Sequence, residues 1–115
     1  MTFINTITDN PNQKLTLQTL DGDLITLFIN YFEGQQGWFY SFTYGSLTIN
    51  NRRLTASPNM LRSLRLLIPF GFACITSDGY EPIFKEDFQN GRAKFYLLNS
   101  TDMAIVEDMI KYAQV

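Results

Sequence analysis

At 115 residues the chain has room for one domain and not for two. It is 45% hydrophobic, enough for a core, but only 17% charged, below the roughly 25% of an average soluble domain. A net charge of −2 argues against a nucleic-acid reader, which is normally basic, and the absence of histidine removes the commonest general base and metal ligand.

Taken in order, Thr2–Thr8 reads as a first edge strand, closed by the Asp9-Asn10-Pro11-Asn12 turn cluster. Gln13–Leu20 alternates, with Leu15 and Leu17 on one face and Lys14, Thr16 and Gln18 on the other. Asp21-Gly22 predicts a hairpin turn, because glycine accepts the positive φ required there. A long strand follows over Asp23–Phe32. It is apolar on both faces: Ile25, Leu27, Ile29 and Tyr31 against Leu24, Phe28 and Phe32. The loop from Glu33 to Gly37 leads to Trp38–Tyr44, which puts Trp38, Tyr40, Phe42 and Tyr44 on one side. Gly45-Ser46 turns the chain into Leu47–Leu54, with Leu47 and Ile49 on one side. This spacing predicts an antiparallel meander.

Ser57-Pro58-Asn59 breaks the sheet, and Met60, Leu61, Leu64 and Leu67 share a face at helical spacing before Pro69. Phe70–Ser77 reads as a buried strand and Asp78-Gly79 as a turn. Tyr80–Gln89 reads as an ordered loop, Asn90-Gly91 as another turn, and Arg92–Leu98 as the last strand. That strand too is apolar on both faces, Phe95 and Leu97 opposing Tyr96 and Leu98. Ser100 or Thr101 is placed to cap a final helix with the stripe Met103, Val106, Met109, Ile110 and Ala113 and an i, i+4 pair between Glu107 and Lys111. The expected fold is mainly β: an antiparallel β-barrel or sandwich of about six to seven strands, with a short central helix and a C-terminal α-helix. One domain is expected over 1–115, a β-rich body (1–99) followed by the helix (100–115).

Little in the chain points to catalysis. One cysteine without histidine does not make a classical zinc site, and Cys74 lies between Ala73 and Ile75 in an apolar strand. Asp21 and Asp23 flank a turn glycine. Asp78, Glu81, Glu86 and Asp87 lack the calcium-loop spacing, and the glycines of Gly34-Gln35-Gln36-Gly37 precede a strand with no lysine following. No enzyme activity, metal or cofactor is expected. The start of the chain shows no basic segment before an apolar run, hence no signal peptide is expected, and no apolar run nears the roughly 18 residues of a membrane span.

Charge is uneven. No Asp or Glu lies between Glu33 and Asp78, while Arg52, Arg53, Arg62 and Arg65 fall inside that gap. Such a stretch can be a docking face for an acidic neighbour, and apolar surface beyond what a small core hides can meet the same partner. The aromatic strand Trp38–Tyr44 beside the arginines allows another reading, a small barrel binding single-stranded nucleic acid or peptide. The basic residues lie outside that strand, which favours a buried aromatic ladder.

The chain resembles the baseplate plug proteins of contractile-tailed phages, the cyanophage-type plug family. The resemblance runs from about Leu15 to Leu98 and rests on Trp38-Phe39-Tyr40, the Gly45 turn, Asn51-Arg52-Arg53-Leu54 and Pro58-Asn59-Met60-Leu61-Arg62. It continues through Pro69-Phe70-Gly71, Cys74–Gly79, Glu81-Pro82, Asp87-Phe88, Gly91-Arg92 and Tyr96-Leu97. It implies a structural component of the tail baseplate or hub in the virion, made in the host cytoplasm. Its implied neighbours are tail-tube, hub or spike and other baseplate subunits, with the chain itself a homo-oligomer, a trimer or a hexamer, and with no membrane and no direct nucleic-acid contact. The candidate partner interface is Arg52, Arg53, Arg62 and Arg65 with Asp78, Asp87 and Arg92.

Overall fold

A computed structural model describes residues 1–113. Its strands are β1 (Thr2–Ile4), β2 (Asn12–Gln18), β3 (Leu24–Phe32), β4 (Gly37–Tyr44), β5 (Leu47–Arg53), β6 (Gly71–Thr76) and β7 (Ala93–Leu98), followed by the helix α1 (Ser100–Ala113). Gln114, Val115 and the side chain of Ala113, included in the expected helix and stripe, lie outside the described residues.

The expected meander is the four-stranded sheet β2-β3-β4-β5, antiparallel throughout. Its register makes the two-residue alternation visible as rows across the sheet. Leu15, Leu27, Phe42 and Ile49 form one row on the inner side. Thr16, Thr26, Thr43 and Thr48 form the next row, on the outer side. The β2–β3 turn closes as expected: Gly22 takes φ +95°, and the Asp23 N–H donates to Thr19 Oγ1 at 3.0 Å. The β4–β5 pair carries a feature that alternation does not reveal. Its register shifts between Tyr40 and Phe42, where Asn51 adopts φ +52° and donates its N–H to Ser41 Oγ at 2.9 Å. This bulge turns the end of β5 so that Arg52 stands opposite Tyr40 and Arg53 opposite Phe39.

The second sheet has the order β1-β7-β6, with β1 at one edge as expected. On the far side of β6, Ser57 and Cys74 exchange two backbone hydrogen bonds of 3.0 Å each, so the segment after β5 covers part of that edge. The two sheets do not join, which makes the fold a sandwich and not a closed barrel.

Aromatic rings fill the space between the sheets. Phe72 contacts Phe42 at 5.4 Å, Phe95 at 5.2 Å and Tyr40 at 5.9 Å between ring centroids. Trp38, Tyr40, Phe42, Phe70, Phe72 and Phe95 are all fully buried.

Two local readings change. The central helix is a single 3₁₀ turn, Arg62–Leu64. Leu61 is buried and Met60 and Leu64 pack on the core, but Leu67 is exposed and Ile68 takes the inward place. A 3₁₀ turn has three residues per turn, so its face drifts away from the helical pattern. The helix cap is Asn99, not Ser100 or Thr101. Asn99 Oδ1 accepts the Asp102 N–H at 2.9 Å, and Asp102 Oδ2 accepts the Asn99 N–H at 3.1 Å, a reciprocal capping box.

Candidate interaction site

The two strands that read as apolar on both faces meet different surroundings. In β7, Phe95 and Leu97 face the sandwich core, while Leu98 packs with Ala73 and Val106, joined by Tyr96, Met103 and Ile110. The helix thus covers the second face of β7. In β3, Ile25, Leu27 and Ile29 are buried, but Leu24, Phe28 and Phe32 are exposed on the outer side. Met109, expected in the buried stripe, is exposed as well. With Ile75, Ile105 and Pro58 it lines an apolar groove of about 440 Å³ between α1 and β6.

Apart from Arg52, the candidate interface residues fall into three clusters, the first and third of which meet at Glu81. The first centres on Arg92, just before β7. Its guanidinium donates to Asp87 Oδ2 at 2.7 Å, to Asp78 Oδ2 at 3.0 Å, and to the Glu81 carbonyl at 3.3 Å. Asp87 is only 1% exposed, and its Oδ2 also accepts the Phe84 N–H at 2.9 Å. Asp78 accepts the Tyr80 N–H, and this bond, with the Arg92 guanidinium, holds its carboxyl below the usual range. Together they staple the loop between β6 and β7. Tyr31 Oη and Trp38 Nε1 secure the same loop by donating to the carbonyls of Ile83 at 2.7 Å and Phe84 at 3.0 Å. Held this way, the loop leaves Tyr80 and Phe84 exposed.

The second cluster ties the central segment to α1. Arg62 donates a two-pronged bond to Glu107, Nε to Oε1 at 2.9 Å and Nη2 to Oε2 at 3.2 Å. Arg65 donates to the Arg62 carbonyl at 3.0 Å and approaches Glu107 at 3.8 Å. The Glu107 carboxylate is therefore engaged by Arg62 and not by Lys111, the partner that helical spacing suggested. The third cluster is Arg53. It lies over the Phe39 ring, 5.5 Å from its centroid, donates to the Gln36 carbonyl at 3.0 Å, and comes within 3.8 Å of Glu81. Gly37 permits this approach, because a Cβ there would lie 2.7 Å from the guanidinium carbon. Arg52 is half-buried at the end of the inner row, where its charge opposes the upward push of burial on the Tyr40 phenol.

Sequence reasoning singled out Arg92 together with Asp78 and Asp87, but for Arg53, Arg62 and Arg65 it found the cations and not their partners. Glu81 and Glu107 lie far along the chain from the arginines they approach. The only signal was indirect: an acid-free segment rich in arginine must find its counter-charges elsewhere.

Cys74 and Asp23, two of the side chains weighed for chemistry, have structural surroundings. Burial, with the nearby Asp87 carboxylate, pushes the Cys74 thiol up to about 12, so it carries no thiolate near neutral pH. Asp23 accepts bonds from Thr19 Oγ1 at 3.1 Å and Tyr44 Oη at 2.9 Å, the work of a turn residue. Among the described residues, no three Cys, Asp or Glu side chains converge as a metal site. The aromatic ladder Trp38, Tyr40 and Phe42 is buried between the sheets, where no base can stack on it.

A β-sandwich whose arginine clusters staple its own loop and helix, and whose outer surfaces keep large apolar groups, is suited to a structural or interaction protein. The family described as cyanophage baseplate Pam3 plug gp18 matches residues 1–100, and the chain belongs to that family. It is thus a phage baseplate plug protein, as the resemblance implied. A search of curated proteins gives no match. The family match stops at the first residue of α1.

Proposed function

We propose that the protein is a non-catalytic structural subunit of the tail baseplate or hub, and that it assembles with tail-tube and hub or spike subunits. It acts as a single plug-like domain over 1–115, made in the host cytoplasm and carried in the virion tail. The family match over residues 1–100 carries this reading. Heterologous contacts that close on themselves make rings, and a trimer or a hexamer fits a subunit placed around the tail axis.

In this reading Arg52, Arg53, Arg62 and Arg65 meet an acidic neighbour. The Arg62 side chain keeps 41% of its surface exposed beside Glu107, so it can serve the helix and a partner together. Asp78, Asp87 and Arg92 contribute by holding the loop that presents Tyr80 and Phe84.

Co-expression with the adjacent baseplate proteins, followed by measurement of the complex mass, tests the proposal. The wild type is expected in a stoichiometric complex, and Arg52→Glu/Arg65→Glu as a folded chain outside it. Unchanged assembly of the variant removes these arginines from the interface. A wild type that joins no baseplate protein sinks the assembly reading.

A further inference from the structure

The four strands β2 to β5 contain no Asp or Glu. On the outer side of their sheet stand two cations, Lys14 and Arg53, with aromatic rings between them. Lys14 Nζ lies 5.8 Å from the centre of the Phe28 ring, and Arg53 lies over Phe39. Phe32 meets Phe39 edge-on at 5.3 Å. Phe28 is 39% exposed, Phe32 42% and Leu24 61%. Among the described residues, Lys14 has no carboxylate partner within ion-pair distance.

A solvated sheet face usually mixes both charge signs and hides its aromatics. This face leaves its aromatics open and its strands supply cations alone, with Glu81 of the β6–β7 loop coming within 3.8 Å of Arg53. The single charge sign of its strands selects the occupant. A second copy laid face to face would set Lys14 and Arg53 against the same cations, which disfavours that pairing. Nucleic acid is a poor fit, because two cations on a net-negative chain neutralise few phosphates. A protein surface that alternates carboxylates with apolar side chains fits both parts.

We propose that the outer face of the four-stranded sheet docks an acidic, partly apolar surface of a neighbouring protein subunit. Its carboxylates reach Lys14 and Arg53, and its apolar side chains cover Phe28 and Phe32. The proposal rests on the assembly reading for the class of partner and adds the face and its chemistry.

The probe is a short synthetic peptide alternating glutamate with leucine, titrated at low salt while backbone amide shifts are recorded. The expected result is saturable binding mapped to β2–β5, weakened by salt. Binding should be at least about tenfold weaker for Lys14→Glu/Phe28→Ser, and for Lys14→Glu alone if the double variant does not fold. The proposal is overturned if the peptide does not bind, if its shifts map elsewhere, or if the matching lysine–leucine peptide or an oligothymidine binds this face more tightly. Co-expression separates this failure from that of the assembly reading. A Lys14→Glu/Phe28→Ser chain that still joins the baseplate complex rejects this face alone, whereas a wild type that never joins rejects the assembly reading.

Discussion

β3 and β7 have similar sequences in one respect: each is apolar on both faces. The fold treats them differently. The second face of β7 is covered from within the chain, because α1 follows it directly and lays Val106, Met103 and Ile110 on the three-stranded sheet. The second face of β3 has no such cover, and Leu24, Phe28 and Phe32 remain exposed. A two-sided apolar strand therefore signals that a cover exists, without saying whether it belongs to the same chain. Charge separates the cases. The helix that covers β7 is seated by ion pairs, such as Glu107 with Arg62 of the central segment, whereas the open face of β3 belongs to a sheet whose strands carry no carboxylate.

That contrast can be sharpened by substitutions whose effects differ in size. The largest effect is expected between the sheets. Phe72→Ala removes a ring that touches Phe42, Phe70, Tyr40 and Phe95, and should cost about 3–5 kcal/mol in denaturant unfolding. Next comes the loop staple. Arg92→Ala leaves the Asp87 carboxylate, 1% exposed, with the Phe84 N–H as its remaining donor, and should cost about 3 kcal/mol.

The same staple predicts an acid response. The folded state depresses the Asp78 carboxyl, chiefly through the Tyr80 N–H and then Arg92. Its stabilising contribution is fully present above the ordinary carboxylate value. It is lost as pH falls below about 4 and through the lower folded value. Arg92→Ala should flatten that part of the stability–pH curve, and an unchanged slope would show that the pair is not coupled to folding.

A smaller effect is expected at the helix entry. Asn99→Ala removes one side of the capping box and should cost about 1 kcal/mol, read as lower helicity and weaker cover over β7. The smallest effect belongs to the open face, where Phe28→Ser should change stability by no more than about 0.5 kcal/mol. A loss of several kcal/mol there would mean that β3 is covered within the chain after all.

The sequence made the strands, the turns and the inner rows legible, because they follow from local rules: two-residue alternation, and glycine where φ is positive. Leu15, Leu27 and Phe42 could be placed in the core on that basis alone. The Asn51 bulge was not legible, since it breaks alternation only through its hydrogen bond to Ser41 across the sheet. The cap was missed by one residue, because Asn99, Ser100 and Thr101 are all able to cap and only the Asp102 reciprocal bond selects among them. The arginine cluster was visible as a run of charge, but its division into separate staples depends on Glu81 and Glu107, which only the fold brings near.

The most direct measurement is side-chain oxidative footprinting of the free chain and of the chain within the assembled baseplate. The account predicts strong protection of Phe28 and Phe32 on assembly, with Tyr96 and Met103, already packed where α1 meets its sheet, little changed. Equal labelling of Phe28 and Phe32 in both states would contradict it.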